Sequence, residues 1–133
     1  KVYNWFYLSR FVLGADMAAI IRDVTIEQGG VLDETFLLKS NGTPVDLTGY
    51  LAVMTVLDNI GAIVHTASTD NGQITINGVA GSIHRKIPAN LTLVIPKTAV
   101  SYDLALTPPS GAADTWILYR GRCHVLEKGS RGS

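Results

Sequence analysis

The sequence predicts an all-β fold: an antiparallel β-sandwich, immunoglobulin-like or jelly-roll-like, with at most one short helix. Three observations carry this. Apolar runs of strand length recur at a spacing of roughly ten residues. Asn41-Gly42, Asn71-Gly72 and Asn77-Gly78 punctuate them, and Asn-Gly favours hairpin turns because both residues tolerate positive φ. No long stretch keeps the 3.6-residue apolar period of a helix.

The elements follow in order. Residues 1–18 stand apart: Tyr3, Trp5, Phe6, Tyr7 and Phe11 are half of the ten aromatic side chains, so this is an aromatic arm or an extra strand. Residues 19–128 make the sandwich domain. "IIRDVTIEQ" alternates and stops at Gly29-Gly30, and "VLDETFLLK" carries Leu32, Phe36 and Leu38 up to Asn41-Gly42. "YLAVMTVLD" is a continuous apolar run, which suits a strand in a sandwich core. Asn59-Ile60-Gly61 turns the chain, and "AIVHTA" pairs back. Short strands follow over Gln73 to Ile76 and Ser82 to Ile87. "PANLTLVIP" places Pro88 at the first turn of one short helical turn or crossover reaching Val94. "AVSYDLALT" alternates, "PPSGAAD" is a hairpin loop, and "TWILYRGRCHVLE" alternates again. The expected core is Phe36, Leu38, Val53, Leu57, Ile74, Ile83, Leu104, Leu106 and Trp116. Residues 129–133 read as a flexible tail by composition.

Within "NGTPVDLTGY" each residue type has a geometric use. Asn41 and Gly42 make a turn. Pro44, lacking an N–H, fits a strand edge or entry. Asp46 and Thr48 bond nearby backbone, and Gly49 permits a bend before Tyr50. Asn41, Gly42, Asp46 and Gly49 are therefore expected to be structural and to touch no substrate.

The 133 residues suit one domain with its own core. The formal net charge is +0, without the basic face of a nucleic-acid binder. Arg120, Arg122, Lys128 and Arg131 make only the C-terminal end locally basic. The N-terminal stretch is apolar, but Arg10 and Asp16 interrupt it and only Lys1 precedes it, so neither a signal peptide nor a membrane span is expected. Residues before Met17 read as an upstream extension, or as what remains once a true start is removed. Cys123 is the only cysteine, which excludes an intrachain disulfide and a cysteine zinc cluster and reads as an inert, half-buried thiol in a reducing cytosol.

No catalytic constellation stands out. His65, His84 and His124 lie in different predicted strands without metal-ligand spacing. Ser101, Tyr102 and Asp103, with His84 or His124, lack a nucleophile elbow. Gly29-Gly30 and the run Asn77 to Gly81 open no helix and so read as turns, not phosphate cradles. Asp70 to Gly72 lacks the following oxygen ligands of a calcium loop. No catalytic, cofactor-binding or metal residue is expected.

At "GTPVDLTGY" the pattern becomes specific. The ordered set of "EQGG", "NGTPVDLTGYLAVMTVLDNIGAIV", "NGQITI", "IPANLTLVIP" and "YDLALTPPSG" resembles the small β-sandwich domains of tailed-bacteriophage virions. It is similar in particular to the N-terminal domain of siphophage upper baseplate proteins and to short phage structural proteins sharing the Asp-Leu-Thr-Gly corner, over about Ile20 to Glu127. The resemblance implies a non-enzymatic virion structural protein without cofactor, assembled in the host cytoplasm. Its implied partners are other virion proteins of the tail, neck or baseplate, or the major capsid protein if it decorates the capsid surface. A homo-oligomer is expected, with no nucleic acid and no membrane. The alternative is a carbohydrate- or receptor-binding module displayed on the virion. The aromatic arm is not part of the resembled pattern. Left exposed it would make an apolar patch, so Tyr3, Trp5, Phe6 and Phe11 are the expected interface. Tyr119 joins them because Trp116 and Tyr119 have opposite parity along a strand, so one should face outward.

Overall fold

The structure, a computed structural model, describes residues 2–8 as backbone and residues 20–40 and 42–127 in full. The elements are β1 (Val2–Leu8), β2 (Ile20–Ile21), β3 (Val24–Glu27), β4 (Leu32–Ser40), β5 (Thr43–Pro44), β6 (Leu51–Asp58), β7 (Ile63–Ser68), β8 (Ile74–Asn77), β9 (Ser82–Ile87), the one-turn helix α1 (Ala89–Thr92), β10 (Ala99–Thr107), a 3-10 turn over Ala112–Asp114, and β11 (Trp116–Leu126). They form two sheets facing one core. One runs β1-β4-β9-β8, with β5 also on β4; the other runs β2-β11-β10-β6-β7, with β3 also on β11. This is the all-β sandwich the sequence predicts.

The pairing departs from a purely antiparallel scheme. β1 lies parallel to β4, and β2 and β3 lie parallel to β11. Hairpin turns dictate antiparallel neighbours, but these strands are joined to their partners by no tight turn. Parallel pairing needs only a long enough return path, and long intervening sequence supplies it in both cases.

The core takes the inward residues of both sheets. Phe36 and Leu38 of β4 and Ile83 and Ile87 of β9 meet Met54 and Val56 of β6 and Leu104 and Leu106 of β10. Two expected core residues are not there. Val53 is exposed and Leu57 only half-buried, because the inward face of β6 is Ala52, Met54 and Val56. A continuous apolar run carries no alternation, so its sequence does not say which parity points inward.

Two large polar side chains of the interior, Arg85 and Tyr102, are held by specific partners. Arg85 of β9 is 0% exposed. Its Nε donates to Glu34 Oε1 at 2.8 Å, its Nη2 donates to the same oxygen, and its Nη1 lies 3.6 Å from Met54 Sδ. Its guanidinium sits 4.7 Å from the centroid of the Phe36 ring and 5.4 Å from that of Tyr102. Between β2 and β3 the chain jogs at Arg22-Asp23. Tyr102 Oη donates to Arg22 O at 2.5 Å, and Asp23 Oδ1 accepts the Arg122 N–H at 2.9 Å. Burial pushes the Tyr102 hydroxyl above its usual range against the opposing pull of Arg85, so it stays a neutral donor.

The loop after β7 closes part of that strand's open edge. Asn71 Oδ1 accepts from the Ser68 and Gln73 N–H groups at 2.9 and 3.1 Å, and its Nδ2 donates to Thr66 O at 2.9 Å. One side chain thus occupies ladder groups that would otherwise be open to another strand. We expect Asn71→Ala to destabilise the domain by about 1–3 kcal/mol through those unpaired groups, read by urea denaturation.

Candidate interaction surface

The corner over residues 42–50 carries the chain from one sheet to the other. Gly42 has φ 82° and Gly49 has φ 82°, the left-handed region that disfavours a side chain. Between them Val45 N–H donates to Leu38 O at 3.0 Å and Leu47 N–H donates to Gly78 O at 2.8 Å. Asp46 Oδ1 accepts from Thr48 N–H at 2.9 Å and from Thr48 Oγ1 at 2.6 Å. Those two bonds, the side-chain one foremost, hold the Asp46 carboxyl below its ordinary value. Val45, Leu47 and Tyr50 are buried while Asp46, Thr48 and Gly49 face solvent. The Asp-Leu-Thr-Gly segment is therefore a joint: its apolar residues plug the top of the sandwich, and its polar ones shape the bend. Asn41 lies outside the described residues.

A Cβ on Gly42 would meet nothing within 4 Å, so a substitution there is opposed by backbone strain alone. Gly42→Val is expected to cost on the order of 1–3 kcal/mol in chemical denaturation. Unchanged stability with loss of a binding activity would show that the turn serves recognition instead.

Tyr119 is not an outward anchor. It is 0% exposed, and Trp116 is 5% exposed. The parity argument fails because β11 slips against β10: Leu104 faces Tyr119 while Ala105 faces Ile117. The extra residue, Leu118, resets the alternation, so both aromatics point inward. Tyr119 packs on Phe36 at 4.8 Å between ring centroids, and burial drives its hydroxyl far above the usual phenol range.

Phe11 lies outside the described residues, as do the side chains of Tyr3, Trp5 and Phe6. Their backbone is placed: β1 runs beside β4 in unbroken register from Val2 opposite Glu34 to Leu8 opposite Ser40. Among the described residues no strand pairs with the other side of β1. Among the described residues this segment is a strand at the end of its sheet.

The remaining reactive side chains do not converge. His65 Nε2 pairs with Gln73 Oε1 at 2.8 Å, and His84 Nε2 pairs with Asp33 Oδ1 at 2.6 Å on the other sheet. His124 is exposed on β11. Among the described residues no group of three His, Cys, Asp or Glu is placed to hold a metal ion. Ser101 and Asp103 point outward while Tyr102 points into the core; partial burial raises the Asp103 carboxyl against the opposing charge of Arg120. Cys123 is buried, more deeply than half, and burial pushes its thiol up to about 11, so it is a poor nucleophile. Among the described residues no helix is long and apolar enough to cross a membrane.

No family model matches the chain, and no curated protein matches it. Among solved structures, the chain is similar to the "N-terminal domain of phage TP901-1 ORF48", with 8% sequence identity and a TM-score of 0.45, over 96% of this chain and 98% of that one.

Proposed function

We propose that this chain is a non-enzymatic structural protein of a phage virion, and that it works by binding other virion proteins of the tail, neck, baseplate or capsid surface. The observation that carries the reading is β1. Its sequence, VYNWFYL, is the aromatic-rich part of the arm, and it lies at the rim of a sheet. An edge strand offers main-chain groups for a further strand to add to, and aromatic side chains are favoured interface anchors. The ordered motif set around the Asp-Leu-Thr-Gly corner supports the same assignment. A carbohydrate-binding module needs exposed aromatic side chains to stack on a sugar, and among the described side chains Phe36, Tyr50, Tyr102, Trp116 and Tyr119 are all buried.

Mass spectrometry of purified virions tests the role, and the copy number per particle separates capsid decoration from a tail or baseplate position. A protein absent from purified particles would end the reading. For the surface, a Tyr3→Ser, Trp5→Ser, Phe6→Ser triple variant is expected to lower incorporation by at least about tenfold, with the β circular-dichroism spectrum retained. Full incorporation of that variant would move the interface away from β1.

A further inference from the structure

Sheet edges are normally kept from pairing by charges, prolines or bulges, and β1 has none of these. Its seven residues, VYNWFYL, include no charge and no proline, and its register against β4 is unbroken. The other sheet ends offer less to a partner strand. β8 is four residues long. On β7 the ladder groups of Thr66 and Ser68 are taken up by Asn71. β2 and β3, of two and four residues, are split by the Arg22-Asp23 jog, whose own bonds go to Tyr102 and Arg122.

The order of residues in β1 decides the kind of partner. VYNWFYL reads nearly alike from both ends. Trp5 is the centre, Tyr3 mirrors Tyr7, and aliphatic Val2 mirrors aliphatic Leu8; Asn4 and Phe6 alone break the symmetry. A two-fold axis normal to the sheet lays a strand antiparallel to its own copy, so each residue meets its mirror position. Centred on Trp5, that register sets Trp5 opposite Trp5, Tyr3 opposite Tyr7 and Val2 opposite Leu8. Tyr3, Trp5 and Tyr7 share one face of the strand by alternation. Aromatic residues therefore meet aromatic residues along that whole face, and such cross-strand pairs stabilise a sheet. No charge in the strand meets its own sign.

We infer that β1 of a second copy of this chain adds antiparallel to β1, centred on Trp5, giving one continuous sheet in the order β8-β9-β4-β1-β1-β4-β9-β8. The inference rests on the proposed reading of β1 as the binding strand and names the partner it takes, a copy of the same chain.

Sedimentation equilibrium of the full chain across the micromolar range tests it, with a monomer–dimer equilibrium expected. Trp5→Lys and Trp5→Glu each set like charges directly opposite one another, and each should raise the dimer dissociation constant by at least about tenfold. An equimolar mixture of the two variants sets opposite charges face to face and should restore association. Val79→Lys, at a position 80% exposed in the β8–β9 turn, should leave the equilibrium unchanged. Hydrogen exchange of the unaltered chain needs no substitution: the amides of β1 should gain protection as concentration rises through the transition. A wild-type chain monomeric throughout, a dimer indifferent to both Trp5 substitutions, a mixture that associates no better than either variant alone, equal weakening by Val79→Lys, or β1 protection independent of concentration would each overturn the inference. A chain that is monomeric, yet present in virions and poorly incorporated as the Tyr3→Ser, Trp5→Ser, Phe6→Ser variant, would end this inference and leave the proposed function standing. A dimer built by a protein absent from virions would do the reverse.

Discussion

Glu34→Ala is expected to destabilise the domain by about 3–5 kcal/mol, because it strands a buried cation. Arg85 is wholly enclosed, and Glu34 supplies the anion that accepts from both its Nε and Nη2. The pair sits at a matched position of the ladder, with Glu34 of β4 directly opposite Arg85 of β9. Without the carboxylate the guanidinium keeps the Phe36 and Tyr102 rings and the Met54 sulfur, whose attraction is far weaker than an ion pair at low dielectric. The cost of removing one partner is not the worth of the pair. Bringing both charges out of water nearly cancels their attraction, so the double variant Glu34→Leu, Arg85→Met should recover most of the loss. Urea denaturation of Glu34→Ala and of the double variant reads this directly. A Glu34→Ala protein within about 1 kcal/mol of the parent would mean that water reaches Arg85 and that the pair is not a closed interior contact.

Arg85 also shows where reading the sequence alone stops. "SIHRKI" announces a strand, and the inward parity of Ile83 and Ile87 puts Arg85 on the core face. Composition nevertheless treats an arginine as exposed, and its counter-ion lies 51 residues away in the chain. The turns were legible because their signal is local: Gly42 and Gly49 need positive φ, and the neighbouring residues announce it. Strand existence was legible for the same reason, through alternation and punctuation. What was hidden depends on register. The burial of Tyr119 follows from a slip between β10 and β11 that no residue of β11 signals by itself. The inward face of "LAVMTVLD" is unreadable because both faces are apolar.

The second large effect is expected at Gly121, which sequence reading passed over as one more residue of an alternating strand. Glycine inside a strand often marks the close approach of another backbone, and here the approaching segment is the Arg22-Asp23 jog. A Cβ on Gly121 would lie 2.1 Å from Arg22 O, 2.6 Å from Arg22 C and 3.0 Å from Asp23 Oδ1. The jog has little freedom to retreat. Arg22 N–H donates to Arg120 O at 2.9 Å, Arg22 O accepts from Tyr102 Oη at 2.5 Å, and Asp23 accepts the Arg122 N–H at 2.9 Å. Making room for one methyl group must break or stretch these three bonds, and it leaves the buried Tyr102 hydroxyl without its acceptor. Overpacking alone costs about 1–3 kcal/mol, and each lost bond adds about 0.5–1.5 kcal/mol. Gly121→Ala should therefore lower stability by on the order of 3–5 kcal/mol, more than Gly42→Val, where there is open space. Hydrogen exchange gives the more specific readout. The Arg22 and Arg122 amides should lose protection in Gly121→Ala, while those of β4 and β9 keep theirs relative to the lowered global stability. If Gly121→Ala folds with unchanged stability and both amides stay protected, the jog does not cross β11 at this glycine, and the placement of β2 and β3 beside β11 is wrong.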